Sequence, residues 1–265
     1  MRPLLTLLVL AGPTAGTARP QDPPLTLTYL GNMGVLLERG GRKAVIDGLH
    51  RGGLPEYAAV PPRLLGPLET NREPFAGITL ALTTHRHADH FDARSVAARL
   101  AADSGVVYAA AAETVDTLLA RSAAAPGDPR IRAIEPGPQR AIPLAGALDW
   151  ATVIDLPHNA TRRSVANVGF LLDFAGIRVL HVGDADPTMA IYGPLRLAAS
   201  GVDVAIVPFW YLIGEDDAVR RSIGARVWVA SHIPLADTAS VRRQVLDRVP
   251  GAIVLAAPGQ HHTIR

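Results

Sequence analysis

Short apolar runs, bounded by glycine, proline, aspartate or asparagine, recur along the chain and predict β-strands. Two of these runs, 168–174 and 178–182, are joined by Ala175-Gly176, which predicts a hairpin between them. The pattern places strands over residues 25–30, 35–38, 44–46, 78–83, 106–108, 151–156, 168–174, 178–182, 202–207, 226–230 and 253–256.

Helical spacing of apolar residues fills several of the intervals between these strands. Asp92 is placed to cap the first helix, while Asp186 is expected to cap the third, with Pro187 at its first helical position. The segment 58–74 is rich in proline and is expected to form a loop or an insertion. The predicted helices span residues 93–102, 112–121, 187–199 and 236–249.

Because the predicted strands are linked both by hairpins and by helices, the sequence indicates a fold that contains both α-helices and β-strands. Such elements pack either as two face-to-face sheets with helices outside or as one mixed sheet, and the pattern leaves both open. The chain has 265 residues, 48% of them hydrophobic, and no segment resembles a linker. These features indicate one domain with a sizeable buried core.

Composition excludes several kinds of chemistry. The sequence contains no cysteine, so disulfides, thiolate metal sites and a cysteine nucleophile are ruled out. The formal net charge is only +2, and no run of lysine or arginine is present. The basic residues are therefore expected to lie on a solvated surface, and a nucleic-acid partner is not expected.

The first residues have the pattern of a secretory signal peptide. Arg2 gives a short positive segment, residues 4–10 are apolar, and a small-residue cleavage site ends at Ala18. The apolar run is too short to span a bilayer, so no stable membrane span is expected. We therefore expect a signal peptide over residues 1–18 and a folded domain over 19–265, in a secreted or periplasmic protein.

The densest group of metal-ligating side chains follows the predicted strand 78–83. It is an H-x-H-x-D-H motif made of His85, His87, Asp89 and His90. Alternate side chains of an extended segment point the same way, so His85 and His87 can reach one metal ion. Asp89 and His90 can face a second ion as the chain turns into the next helix. Zinc accepts imidazole and carboxylate ligands, and histidine is a poor core filler, so the motif indicates a metal site.

This motif resembles the signature of the metallo-β-lactamase superfamily, whose fold is a four-layer αββα sandwich of the α/β (α+β) class. The resemblance covers nearly all of residues 19–265, because the later ligands of the family occur in order. His158, Asp184 and His232 each lie just past a predicted strand, where loops carry function, and Asp184 ends an H-x-G-D sequence.

The family pattern implies two metal ions, zinc in the first place, with manganese or iron as alternatives. In this sequence the implied ligands are His85, His87 and His158 for the first ion, Asp89, His90 and His232 for the second, and Asp184 as a bridge between them. A ligand set that leaves room for water is typical of a catalytic site and not of a structural one.

The resemblance implies a hydrolase in which a water bridging the two ions attacks an ester, lactone, amide or phosphodiester of a small molecule. Asp89 or Asp184 would pass a proton to the leaving group. The chain looks most like the branch of lactonases and N-acyl phosphatidylethanolamine phospholipase D, but Asn32 stands where that branch often has a histidine. An iron-dependent redox enzyme of the same fold, a true β-lactamase and a binding protein without activity are alternatives.

Two further features have two interpretations each. Asp47 ends a predicted strand, where the family often has an aspartate that orients a metal-binding histidine; a simple turn residue is the alternative. The sequence Phe209-Trp210-Tyr211 either walls the substrate pocket or packs as ordinary rim residues. The histidines left without a metal role are His50, His181, His261 and His262.

Secretion of the full chain by a bacterial host is expected to give a mature protein that begins at Arg19, because Ala18 ends the cleavage site. Intact-mass analysis of the periplasmic fraction measures this. The substitution Leu7→Arg interrupts the apolar segment and should leave an uncleaved chain in the cytosol. Wild-type protein recovered with Met1 still in place would contradict the expectation.

Overall fold

The computed structural model describes residues 23–135, 137, 141–143, 149–162, 164–215 and 217–265, so the expected signal peptide lies outside the described residues. Within these ranges the strands form two seven-stranded sheets. In spatial order the first sheet contains β14 (His261–Ile264), β1 (Leu25–Gly31), β2 (Gly34–Arg39), β3 (Arg42–Ile46), β4 (Leu80–Thr83), β5 (Val107–Ala111) and β6 (Ile131–Ile134). The second contains β13 (Ile253–Val254), β12 (Val227–Ser231), β11 (Val204–Pro208), β10 (Ile177–His181), β9 (Val168–Phe174), β8 (Ala151–Asp155) and β7 (Ala141–Pro143).

Each sheet combines a parallel and an antiparallel part. Strands β3 to β6 run parallel in the first sheet, and β10 to β13 run parallel in the second. The other neighbours pair antiparallel, including the predicted hairpin of β9 and β10. Parallel neighbours end at the same edge of a sheet, so the loops that follow them meet there.

Helices cover the outer face of both sheets. Over the described ranges none of them is long and apolar enough to cross a lipid bilayer. The α-helices are α1 (Pro62–Glu69), α2 (Ala93–Ala102), α3 (Ala112–Arg121), α4 (Met189–Tyr192), α5 (Trp210–Ile213), α6 (Ala218–Ile223) and α7 (Thr238–Arg248). Buried residues of α1, α2 and α3 pack on the first sheet, and those of α4 to α7 pack on the second.

Three apolar layers hold these elements together. Because side chains alternate along a strand, each central strand contributes residues to two of these layers. In β11, Val204 and Ile206 join the layer between the sheets, whereas Ala205 and Val207 join the layer under the helices. Both faces of the central strands are therefore buried, which explains why these strands are continuously apolar. The result is the expected four-layer αββα sandwich with two sheets.

The predicted strands are confirmed, with ends that differ by a few residues, but three strands were missed. These are β6, β7 and β14, and each of them lies at the edge of a sheet. An edge strand pairs on one side only and does not need apolar residues on both faces. In β14, His261 and Thr263 are exposed while Ile264 is buried, so the strand lacks the apolar run that identifies the central strands.

One predicted helix is wrong. Residues 187–199 form only the short helix α4, followed by two 3₁₀ turns. The residue before its first turn is Thr188, so Asp186 is not a cap and Pro187 lies outside the helix. Pro194 explains the early end, because proline has no amide hydrogen and cannot donate the next helical hydrogen bond.

The proline-rich segment 58–74 is also not a simple loop, since it contains α1. Pro62 occupies the first turn, where a missing amide hydrogen costs nothing, and Leu65 and Leu68 are buried beneath it. The prediction for α2 is confirmed, because the Asp92 carboxylate accepts a hydrogen bond from the Ser95 amide at 2.9 Å.

Candidate metal centre

The ends of four strands bring the expected ligands to one edge of the sandwich. His85 and His87 follow β4, Asp184 follows β10, and His232 comes directly after β12. His158 lies past the end of β8, where it forms an isolated bridge with Ala185, next to Asp184. The first sheet therefore supplies the contiguous motif, and the second sheet supplies the three scattered ligands.

All seven side chains expected from the sequence lie together in two groups, and within each group the ligand atoms lie within 4.8 Å of one another. His87 is half-buried, and the other six are buried. The first group is His85, His87, His158 and Asp184, and the second group is Asp89, His90 and His232. The structure therefore brings the seven side chains together, and the binding of metal by them stays a prediction.

Asp184 lies between the two groups. Its Oδ2 atom is 3.1 Å from His232 Nε2, 3.7 Å from His158 Nε2 and 3.9 Å from His85 Nε2. Its Oδ1 atom is 3.5 Å from His90 Nε2. One carboxylate thus faces imidazoles of both groups, which is the arrangement that a bridging ligand requires.

Asp47 orients one of the histidines, as the first of its two interpretations predicted, and is not a simple turn residue. His90 Nδ1 donates to Asp47 Oδ2 at 2.9 Å, which leaves His90 Nε2 directed at the centre. The Asp47 carboxylate is itself held by the amide and the hydroxyl of Thr84, each at 2.7 Å. Thr84 directly precedes His85, so one small network fixes ligands of both groups.

Strained backbone is concentrated at this edge. Asn32, Asp47 and His232 have φ values of 42°, 48° and 57°, in the left-handed region that favours glycine. Non-glycine residues persist there only when the surroundings hold them. The Asn32 side chain donates to Asp89 Oδ2 at 2.9 Å, so the residue that departs from the family pattern still contacts a ligand.

Electrostatics prepare most of the imidazoles for a cation. Burial, together with nearby His90, lowers the pKa of His85 well below its usual value and lowers that of His87. Burial likewise lowers the pKa of His158 to about 4. These three rings are therefore neutral near pH 7, which is the state that binds metal.

His90 and Asp184 behave differently, because each is surrounded by opposite charge. Burial opposes the charged form of His90, but Asp184 and Asp47 outweigh it and raise the pKa of His90 to about 10. Burial likewise opposes ionisation of Asp184, yet His232 and His90 hold the pKa of this carboxyl well below its usual value. A cation that binds here has to displace the His90 proton.

The nitrogen and oxygen atoms of the centre are suited to binding a metal ion, because they do not satisfy one another by hydrogen bonding. Several buried polar atoms at this edge have no hydrogen-bond partner among the described residues, a rare situation in proteins. They are Asp89 Oδ1, Asp184 Oδ1, His232 Nδ1 and both ring nitrogens of His158. Carboxylate oxygens and imidazole nitrogens are the donors that zinc, manganese and iron accept, so the residues fit the expected ions.

A buried amide that the sequence did not single out connects two of the ligand loops. Asn167 Nδ2 donates to the carbonyls of Leu156 at 2.7 Å and Val182 at 3.1 Å, and its Oδ1 accepts from the Asp184 amide at 3.2 Å. The adjacent Gly183, with a φ of 57°, leaves no room for a Cβ, which would lie 2.4 Å from Asn167 Oδ1. An asparagine before a strand resembles an ordinary turn residue, so sequence alone gave no signal.

A cavity of about 680 Å³ opens over the centre. Its lining includes Asp89, Asp184, His158 and also Trp210, so the pocket interpretation holds for Trp210. Tyr211 instead packs in the interior, where its hydroxyl donates to the Ala185 carbonyl at 2.8 Å. The packing interpretation therefore holds for Tyr211.

The remaining histidines lie outside both groups. His181 is buried and its Nε2 donates to the Met33 carbonyl at 3.0 Å. His50 is buried as well, and burial lowers its pKa to about 4, so it is a neutral structural residue. His261 and His262 belong to the edge strand β14.

Comparison with known proteins agrees with this geometry. A family model for the beta-lactamase superfamily domain matches residues 47–258, and the chain belongs to this family. The match begins at Asp47 and contains every residue of both groups. A search of curated protein sequences gives no significant match.

Solved structures with the same fold share little sequence with this chain. Igni18, a metallo hydrolase of Ignicoccus hospitalis, is 18% identical with a TM-score of 0.55, over 91% of this chain and 98% of that one. The isothiocyanate hydrolase from Delia radicum gut bacteria is 17% identical with a TM-score of 0.59, over 89% and 98%. The diiron β-hydroxylase CmlA of Streptomyces venezuelae is 16% identical with a TM-score of 0.53, over 93% and 55%. The metallo-β-lactamase fold is thereby shown.

Replacing Asn167 by aspartate is expected to weaken zinc binding roughly 10- to 100-fold, because a carboxylate oxygen would then face the carbonyls that the amide now holds. Competition with a chromophoric chelator measures the affinity, and thermal unfolding of the metal-free protein shows whether the variant is folded. Asn71→Asp, the same change in the turn after α1, serves as the matched control. A folded Asn167→Asp variant with wild-type zinc affinity would remove the positioning role.

Proposed function

We propose that the protein is a hydrolase that uses two divalent metal ions, with zinc as the leading candidate and manganese or iron as alternatives. The observation that carries this proposal is the meeting of the two ligand groups on Asp184, at the floor of an open cavity. Structural metal sites are closed by their ligands, whereas this centre faces a space that a substrate can enter.

We assign the metal ligands in the way that the family resemblance implies. His85, His87 and His158 would hold one ion, Asp89, His90 and His232 the other, and Asp184 both. Bound there, the pair of ions supplies a lowered pKa for water and polarisation of a substrate oxygen.

Two carboxylates can move the proton that hydrolysis releases. Asp89 and Asp184 both line the cavity, and each has an oxygen atom that no described residue hydrogen-bonds. Either can accept a proton from the attacking water and return it to the leaving group. This assigns Asp89 and Asp184 as the catalytic residues in addition to their role as ligands.

The size of the cavity supports a small-molecule substrate. A volume of about 680 Å³ lies within the range typical of pockets for small ligands. The bond that is cleaved is proposed to be an ester, a lactone, an amide or a phosphodiester. The signal-like N-terminus adds the proposal that hydrolysis takes place in the periplasm or outside the cell.

Purified protein from metal-supplemented cells is expected to contain two equivalents of zinc or manganese and to hydrolyse members of a panel of generic esters, lactones, amides and phosphodiesters. Elemental analysis and a coupled pH-indicator assay measure the two properties. Asp184→Asn should lower both, with hydrolysis reduced at least about 100-fold, because the shared carboxylate is weakened as a ligand. Asp186→Asn, two residues away in the same loop, should retain the metal.

Each alternative has its own result in this experiment. Iron together with oxygen consumption would favour a redox enzyme of the same fold, and cleavage of nitrocefin would identify a β-lactamase. Protein that is folded but takes up no transition metal would overturn the proposal.

Zinc affinity is expected to rise with pH, by roughly tenfold per pH unit between about pH 6 and pH 8, because a raised pKa keeps His90 protonated until the metal displaces its proton. His85 and His158 have lowered pKa values and are already neutral in this range, so they do not contribute to the pH dependence of zinc affinity. Calorimetry in two buffers of different ionisation enthalpy measures the proton release. Asp47→Asn removes one cause of the raised pKa, so the slope should flatten; an unchanged slope would contradict this origin.

A further inference from the structure

The lining of the cavity over the candidate centre has two chemically different parts. In one part, aromatic rings contact the second ligand group. The Tyr57 ring lies 4.2 Å and the Trp210 ring 5.1 Å from the His232 ring, measured between centroids. Leu54 completes this part of the lining. An apolar group of a substrate would lose contact with water by lying against these three side chains.

The other part of the lining is polar and follows His158 of the first ligand group. Asn159, Thr161 and Arg162 line the cavity directly after His158, in and beside the 3₁₀ turn Ala160–Arg162. The turn is fixed to the centre, because the Asn159 amide donates to the Asp184 carbonyl at 2.9 Å, and the Arg162 amide donates to the Asn159 carbonyl at 2.9 Å.

Arg162 contributes a guanidinium group to this lining. Within the described part of the chain its exposed guanidinium forms no ion pair and no hydrogen bond. It is close enough to His87 to contribute to the lowered pKa of that ring. Asp186 also lines the cavity but already takes part in an interaction. A planar guanidinium is suited to binding a carboxylate through two parallel hydrogen bonds.

Exposed apolar side chains also occur in or near the segments that line the cavity. In the described ranges the exposed large hydrophobic side chains are Leu54, Met189 and Leu235. Leu54 belongs to the lining, and Met189 comes two residues after the lining residue Pro187. The Leu235 amide donates to the Glu56 carbonyl at 2.8 Å, beside Tyr57.

We propose that the substrate is a small amphiphilic anion, and this inference rests on the proposed hydrolase function. An aryl or acyl group would lie against Tyr57 and Trp210, a carboxylate would pair with Arg162, and the scissile bond would lie between them, over Asp184. For an ester, the water oxygen bonds to the acyl carbon, the acyl carbon–oxygen bond breaks, and one proton passes to the departing alcohol.

Three esters test this assignment with the metal-loaded enzyme. 2-(Phenylacetoxy)acetate carries both groups, its primary amide lacks the charge, and acetoxyacetate lacks the ring. We expect the first to have the highest kcat/KM, with a loss of roughly tenfold when either group is removed. Arg162→Gln should remove the preference for the charged ester and leave the amide unchanged, while Arg162→Lys should restore part of it. Trp210→Ala should remove the preference for the phenylacetyl group.

Arg121→Gln is the matched control, because Arg121 is an exposed arginine at the end of α3 and is not part of the cavity lining. It should leave all three rate constants unchanged. Equal losses in the Arg121→Gln and Arg162→Gln variants would show a general charge effect and would overturn the role of Arg162.

A non-hydrolysable analogue separates binding from catalysis. In 4-oxo-5-phenylpentanoate a methylene replaces the ester oxygen, and calorimetry measures its Kd without turnover. Binding that weakens roughly tenfold in Arg162→Gln supports the substrate class even if none of the esters is hydrolysed, a result that would count against the hydrolase function alone. Hydrolysis of the esters with no dependence on charge, ring, Arg162 or Trp210 would leave the hydrolase standing and overturn the amphiphilic-anion proposal.

Discussion

The buried carboxylate of Asp184 is the group on which the arrangement of the site depends. It lies 3.1 to 3.9 Å from imidazoles of both ligand groups, and only 5% of the residue is exposed. An ionised carboxylate without compensating charge would be costly to bury, and here His232 and His90 supply that charge and hold the pKa of Asp184 well below its usual value. The amide of Asn167 and the close contact at Gly183 fix where this carboxylate points.

The sandwich achieves this convergence by ending its strands at one edge. Parallel pairing places the ends of β3 and β4 side by side in one sheet and the ends of β10 to β12 side by side in the other. The left-handed backbone at Asn32, Asp47 and His232 then turns the chain sharply enough to aim side chains inward. Strain of this kind is tolerated because the packed sheets on both sides determine the local conformation.

Sequence was sufficient for the parts of the molecule that are local or repetitive. The motif from His85 to His90 is contiguous, and the central strands are apolar on both faces, so both could be predicted from the residues. His158, Asp184 and His232 are far apart in the chain, and their roles came from resemblance to a family. Edge strands β6, β7 and β14 escaped because their pattern depends on the neighbour that pairs with them.

The residues that sequence reasoning missed act only through contacts that folding creates. Asn167 matters because three backbone groups from two separate loops meet at its amide. Tyr57 lies just before the proline-rich segment 58–74, and nothing in the sequence around it predicts that its ring reaches His232. Such residues have ordinary local sequences, and their importance is a property of the assembled loops.

The origin of the ligands in both sheets has a mechanical meaning. His85 comes from the first sheet and Asp184 from the second, and the chain contains no cysteine that could join the two covalently. An ion bound by both residues would cross-link the two sheets of the sandwich. Its binding free energy would then add to the cohesion of the two sheets. A substitution that weakens the packing between the two sheets would therefore also lower metal affinity, even where the substituted residue lies far from the cavity.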